Sequence, residues 1–464
     1  MIHLNLVLNI ITTLLSASAT FLQYHLLTKN FPDLIKQITT ASSLSSFFGV
    51  FSLSLPLIIS SLTASDKFTT QSNQASLIFE NYKKLIVCLG ALVIVCSSVL
   101  LVFNEIEFAV LLLLLSITVL LKNLLFGMLG FLNGQGQVFE ETLIKFATSF
   151  SFVLFILTLT KSAYWLPALA QCLFLLLTIH FVLGMQNLKW KFTDSNFKDI
   201  NLDSRSAIRN HFLISLPGYF IMNSSLLIGS ISLNSDQLKI ITKHLYIIQG
   251  LTTVMASSVR VLSFKFNQFF FRKNIEQMQS IVNFYLKVTI LFLPLFLFIL
   301  YKIAPASMLA AIQLGENMKV LTVLLFFIFA SVESYQVALT NLSYSAGRSD
   351  YVSVTWASAI MGLLLSAILI PVGGIDGAIA ALFLSQQMTC NWFNFLKFKK
   401  FFDLRLLFDS KLLKSALTGL CLLVIFWQFP NNFTSLLLAL MLWGAALLYS
   451  TFSELASIQK GHLE

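Results

Sequence analysis

Charge is scarce in this chain. Of its 464 residues, 11% are Asp, Glu, Lys or Arg and 57% are hydrophobic, where a soluble domain carries about 25% charged residues. That composition excludes a soluble globular protein and leaves little polar sequence for a soluble domain. Paired cysteines are also lacking. Cys88, Cys96, Cys172, Cys390 and Cys421 all fall inside apolar runs and none stands at metal-ligand spacing, so free buried thiols are expected, with no disulfide framework and no metal site. There is no G-x-x-x-x-G-K-[ST] phosphate loop, no His/Cys cluster and no G-x-S-x-G elbow. These absences remove the ATPase and enzyme signatures, and no cofactor is expected. The net charge of +10 does not point to nucleic acid, because the cations sit in short loops between apolar runs. That is the pattern of cytoplasmic loops, with anionic membrane lipid as a secondary partner.

What is present is a succession of apolar runs, each close to the ~20 residues that span a bilayer. The expected spans are 4–28, 34–62, 84–104, 107–131, 142–160, 163–184, 211–233, 237–263, 280–302, 318–344, 350–371, 374–396, 411–429 and 432–453. The sequence therefore predicts an all-α polytopic membrane protein of about fourteen transmembrane helices. Ala17-Ser18-Ala19 has the form of a signal-peptidase site, but no cation precedes its apolar region, so 4–28 is taken as a retained helix. The polar run Met185–Asn210 separates two groups of spans and reads as a cytoplasmic linker. With the N-terminus placed in the cytoplasm, 22 of the 30 Lys and Arg fall on the inner side, 7 on the outer side, and Lys122 stands mid-span. This bias predicts two cytoplasmic termini.

The two groups repeat. Asp33-Leu34-Ile35-Lys36-Gln37-Ile38-Thr39 matches Asp236-Gln237-Leu238-Lys239-Ile240-Ile241-Thr242 as D-x-x-K-x-I-T, and Gln135-Gly136-Gln137 closes the fourth span as Ala346-Gly347-Arg348 closes the tenth. Six intervening spans make the repeats parallel, about an axis along the membrane normal. The expected domains are a six-helix bundle over 1–184, the linker 185–210, a second six-helix bundle over 211–400, and 401–464 with a final hairpin and tail. Lys397–Lys414 reads either as an amphipathic interfacial segment or as a plain basic loop.

Ionisable residues inside spans carry the functional expectation, since a charge at bilayer depth costs at least a few kcal/mol and usually faces a bundle interior or a cavity. Lys122 and Glu333 occupy equivalent positions in the fourth and tenth spans. Either they line a cavity, the cation holding an anionic head group and the acid a proton or ion, or they are buried structural partners. His25 at the outer end of the first span is an interfacial histidine or a relay. Lys243 lies near the outer end of the eighth span. Arg260, near its inner end, is a phosphate clamp or a snorkelling anchor. Pro217-Gly218 in the seventh span and Pro56 in the second mark kinks, the first pair a candidate bending point.

Four stretches carry a resemblance: Leu26–Asp33, Ser215-Leu216-Pro217-Gly218, Asn341–Arg348 and Pro371–Ala381 (PVGGIDGAIAA). In this order they resemble the multidrug/oligosaccharidyl-lipid/polysaccharide flippase superfamily, and within it the bacterial O-antigen flippases. The resemblance covers residues 1–400. It implies two six-helix bundles around a V-shaped central cavity, rocking between inward- and outward-open states in the inner membrane. It also implies a polyprenyl-diphosphate-linked oligosaccharide as substrate, and other polysaccharide-assembly proteins as partners. Such cavities are cationic, whereas the first two helices here have no mid-span Arg, which shifts weight to Lys122 and Arg260. An ion-coupled multidrug exporter of the same fold is the alternative. A polysaccharide polymerase is disfavoured by an external segment, roughly 303–317, without Arg or His.

Overall fold

A computed structural model describes residues 23–51, 74–103, 105–135, 137–149, 164–185, 202–287 and 352–391, with scattered residues elsewhere, among them parts of 58–63 and of 329–340. Among the described residues there is no strand. Residues 23–30 are helical (α1). A 3-10 turn, Pro32–Leu34, leads into α2, Ile35–Phe47, which continues as a second 3-10 stretch, Phe48–Phe51. Then follow α3 (Gln74–Val102), α4 (Ile106–Gly134), α5 (Val138–Ser149), α6 (Leu166–Met185), α7 (Leu202–Ser232), α8 (Ser235–Phe271), α9 (Ile275–Lys287) and α10 (Val352–Met388). Among the described residues, five stretches are long and apolar enough to cross a membrane: Ala75–Val102, Ile106–Gly134, Leu166–Gly184, Ile208–Ser232 and Val352–Met388. On α3, α6 and α10 large aliphatic side chains point outward, Val102 at 79% and Val372 at 87% exposure, as helices in lipid require. The protein is a multi-pass, nearly all-helical membrane protein.

The helices run past the predicted limits where polar residues find local partners. α3 starts ten residues before the predicted span, because Lys83 pairs with Glu80 at 2.7 Å and lies over the Phe79 ring at 5.7 Å. Both contacts are made within one turn, so charges that read as loop are absorbed into helix. α7 begins inside the polar run 185–210. α8 begins where the Asn234 carboxamide accepts from the Gln237 N–H at 2.9 Å, with Asp236 in its first turn, where an acid complements the helix dipole. Pro217 lies within the continuous helix α7. Pro56, the spans 411–429 and 432–453, the segment Lys397–Lys414 and most of 318–344 lie outside the described residues.

The chain packs as two units. The first comprises Met1–Phe264 with Ser343–Cys390, the second Lys265–Leu342 with Asn391–Glu464. In the first, α3, α4 and α6 share an apolar core that includes Phe79, Met128, Leu129 and Val182. Tyr24, Leu27, Ile38, Ala41 and Leu111 join α1, α2 and α4. α7 lies along α10 through buried serines: Ser225 Oγ is 3.4 Å from Ser366 Oγ and from the Ala378 carbonyl. In the second unit, α9 follows a turn at Lys273 and is capped by Asn274, whose side chain accepts from the Gln277 N–H at 3.2 Å.

α10 is two antiparallel arms joined by a kink. Ser358 Oγ reaches the Ser385 carbonyl at 3.4 Å and Cys390 Sγ the Val354 carbonyl at 3.7 Å. Gly374 turns the chain with φ 54° and ψ −123°. Gly377 lets the arms meet, since a Cβ there would lie 2.0 Å from the Leu369 carbonyl oxygen. The Pro371–Ala381 motif thus encodes a tight hairpin between the eleventh and twelfth spans. Gly377→Ala is expected to lower the melting temperature and the monodisperse yield of the purified protein. Gly374→Ala should cost about 1–2 kcal/mol through its left-handed backbone. Gly90→Ala, which meets nothing within 4 Å, should be neutral in the same thermal unfolding assay.

Candidate functional site

Three helices of the first unit converge around Tyr24. From α1, its hydroxyl is 2.9 Å from Thr39 Oγ1 of α2. Its ring packs against Tyr246 of α8, with centroids 5.1 Å apart. Two of the sequence-predicted residues adjoin this contact in the chain, His25 after Tyr24 on α1 and Lys243 after Thr242 on α8. His25 of α1 feels the charges of Lys243 and Lys239 of α8 and of Lys29 at the end of α1. Lys243 is 1% exposed, among the most deeply buried large side chains, and the neighbouring His244 ring nitrogen Nδ1 lies 2.7 Å from the Ile240 carbonyl.

A second contact line joins α2 to α7. Ser43 Oγ and Ser46 Oγ donate to Asn223 Oδ1 at 3.2 and 3.4 Å, and the Tyr219 hydroxyl donates to the Ser43 carbonyl at 3.1 Å. Phe47 meets Tyr219 edge-on at 5.3 Å, and Phe51 meets Phe212 at 5.4 Å. Along α2 the contacts advance through 43, 47 and 51 as they retreat along α7 through 223, 219 and 212, so the helices are antiparallel, as the alternation of spans requires.

The other predicted residues are placed separately. Lys122 lies on the side of α4 that faces α6. Its electrostatic neighbour is the Cys172 thiol, itself 3.0 Å from Thr118 one turn away. Among the described residues no acid pairs with Lys122, and no interaction joins it to the His25 group. The next residue, Asn123, faces α2 and donates to the Phe48 carbonyl at 2.8 Å. Arg260 lies on α8 with its side chain outside the described part. Glu333 belongs to the second unit, is 7% exposed, and its Oε2 has no hydrogen-bond partner among the described residues. Gly218 follows Pro217 in α7 with open space where a Cβ would stand, so α7 meets no packing obstacle at its candidate hinge.

Sequence reasoning passed over Thr39, Thr242, Ser43, Tyr219 and Asn223. The signal for the first two was present: each is the final residue of one D-x-x-K-x-I-T copy. It also passed over Asn133 of α4, which accepts from Ser60 at 2.7 Å and donates to Glu141 of α5 at 2.7 Å, the carboxylate that also pairs with Lys145.

No family model and no curated protein matches the sequence. Solved structures do match. A eukaryotic MATE transporter aligns over 85% of this chain and 95% of its own, with a TM-score of 0.62 at 12% identity. An outward-facing multidrug resistance MATE family transporter of the MOP superfamily aligns over 88% and 96%, with a TM-score of 0.54 at 14% identity. The lipid II flippase MurJ in an inward closed conformation aligns over 100% and 98%, with a TM-score of 0.57 at 13% identity. The chain has the MATE–MurJ fold.

Within the MATE–MurJ fold a lysine without an acid at bilayer depth is a net cost of a few kcal/mol. Lys122→Met is therefore expected to raise the melting temperature of the purified protein. A lowered melting temperature would assign Lys122 to bundle stability instead.

Proposed function

We propose that this protein is a flippase. It carries a polyprenyl-diphosphate-linked oligosaccharide, an O-antigen or other surface-polysaccharide unit, across the bacterial inner membrane by alternating access between two six-helix bundles. Both termini are cytoplasmic in this scheme. The observation that supports the reading is the deeply buried Lys243 on α8, a helix that meets α1 at the Tyr24–Tyr246 ring contact beside His25, with Lys239 one turn before Lys243 and Lys29 one turn after His25. A diphosphate supplies several acceptor oxygens and a charge opposite to that of the cluster. Lys122, and Arg260 further along α8, add cationic character along the path, while the polyprenyl tail stays in lipid.

The closed α2–α7 line supports the transport cycle energetically. It is made of neutral hydrogen bonds and edge-on rings, each contributing about 0.5–1.5 kcal/mol. A line of that strength opens and closes with the binding energy of one ligand. The Pro217-Gly218 pair sits at the same level of α7 and is the proposed bending point.

The reading is tested by deleting the gene in its host and analysing lipid-linked oligosaccharides together with surface polysaccharide. Loss of surface polymer with complete units held on the inner leaflet is expected, restored by the wild-type chain but not by Lys243→Met or His25→Ala. Normal polymer with heightened drug sensitivity would overturn it.

A multidrug exporter of the same fold is the second reading, favoured by the buried Glu333 carboxyl with its unpaired Oε2. A buried carboxyl of this kind is the group a coupled exporter uses to take up a proton or metal ion. Under the flippase reading Glu333 couples the cycle to an ion gradient, and Glu333→Gln is expected to abolish the response of transport to a collapsed gradient. An unchanged response would remove Glu333 from the mechanism.

A further inference from the structure

The polar run 185–210 contains a residue that behaves as core. Ile200 stands between Asp199 and Asn201, a setting in which an apolar side chain ordinarily lies at the surface. It is 1% exposed and belongs to the apolar core of α3, α4 and α6, together with Phe79, Phe131, Val182 and Leu183. Arg205, in the first turn of α7, donates from Nε to the Ile200 carbonyl at 2.6 Å. This charge-assisted bond ties the buried residue to the helix that follows it. Ile208, in the second turn of α7, packs against the same core.

Two sets of partners therefore hold α7. Toward the linker, Ile200 and Ile208 fasten it to α3, α4 and α6, and the Phe212 ring lies 5.4 Å from Phe51. Toward its other end, Ser224 Oγ and Ser225 Oγ lie 3.5 and 3.4 Å from Ser366 Oγ of α10. Between these attachments stands Pro217, which has no N–H for the Leu213 carbonyl, so this turn of the helix lacks a bond. Gly218 follows it with open space around it. Tyr219 and Asn223, just beyond, meet α2 through neutral hydrogen bonds.

We infer that Ile200 is a positioning residue, an anchor that fastens the linker end of α7 to α3, α4 and α6 so that α7 bends at Pro217-Gly218 and does not travel whole with α10. This rests on the alternating-access reading above. With the linker end fixed, a displacement of α10 pulls only on the far arm of α7. Tyr219 and Asn223 leave α2, while Phe212 keeps its place against Phe51. The arm from Pro217 to Ile231 is about 21 Å long at about 1.5 Å per residue. A kink of about 20° therefore moves its end by about 7 Å, and the linker end by nothing.

The test uses the full-length chain in lipid nanodiscs, with Cys88, Cys96, Cys172, Cys390 and Cys421 changed to alanine. Two spin-label pairs are read by double electron–electron resonance. Arg209→Cys with Leu85→Cys reports the linker end of α7, and Ile231→Cys with Val102→Cys reports the far end. Asn223→Ala removes the side-chain bonds beyond the bend and populates the parted state. It is expected to shift the far-end distance by about 7 Å in part of the population and to leave the linker-end distance single and unchanged. Adding Ile200→Asp should broaden the linker-end distance as well. Ile200→Ala, which buries no charge, should broaden it less, and Ile200→Val should keep it narrow. Gel filtration and melting temperature confirm that each variant is folded. Both distances moving together with Ile200 intact would overturn the anchor, because α7 would then move as a rigid rod. A linker-end distance that stays narrow in Ile200→Asp and Ile200→Ala would overturn it too. A far-end distance that stays single in every variant, while Ile200→Asp broadens the linker end, would leave the anchor standing and overturn the alternating-access movement.

Discussion

Helices in lipid gain nothing from hiding apolar surface against one another, because the surrounding chains are as apolar as the helices. Close approach and hydrogen bonding have to supply the specificity. Here they do so through small and hydroxyl-bearing side chains. Serines join α7 to α10, Gly377 brings the arms of α10 into contact, Asn123 ties α4 to α2, and Asn223 ties α7 to α2. The rest of the first unit depends on this constraint. At these joints the polar side chains end on a carbonyl or another side chain. Where the helices are proposed to part, the bonds are few and neutral.

That distinction separates two kinds of polar contact in the chain. The Asn133, Glu141 and Lys145 group, with Ser60 joined to it, combines an ion pair with amide and hydroxyl bonds in a buried setting. Breaking it would strand a charge, at a cost of several kcal/mol. It belongs to the permanent framework of α4, α5 and the end of the second span. Tyr24 with Thr39, and Asn223 with its serines, involve no charge and can exchange partners cheaply. Stationary and movable joints are thus told apart by whether an ionised group takes part.

Much of the architecture was legible in the sequence. Long apolar runs gave the helices, and Gly374 with Gly377 gave the hairpin between the eleventh and twelfth spans. The offset repeats placed Thr39 and Thr242 in register. Helix ends were less legible, because Glu80 and Lys83 read as loop until their pairing and the Phe79 ring are seen. The site was half legible. His25 and Lys243 stood out as ionisable residues in spans, but their convergence depends on α1 lying beside α8, which no local pattern encodes. Lys122 and Glu333 look equivalent by offset, yet Lys122 has a thiol neighbour and Glu333 an oxygen with no partner. An offset reports position along an axis and is silent about the direction in which a side chain points.

The 3-10 stretch Phe48–Phe51 gives α2 a property that an unbroken α-helix would not have. A 3-10 turn advances about 120° per residue where an α-helix advances about 100°, and rises about 2.0 Å where the α-helix rises about 1.5 Å. Over four residues that amounts to a phase slip of about 80° and about 2 Å of added length. Phe47 ahead of the stretch and Phe51 at its end both meet α7, at Tyr219 and Phe212, so the tighter turn spreads these two rings further along and around α7, and the Asn123 carboxamide on the Phe48 carbonyl marks the level at which that turn begins.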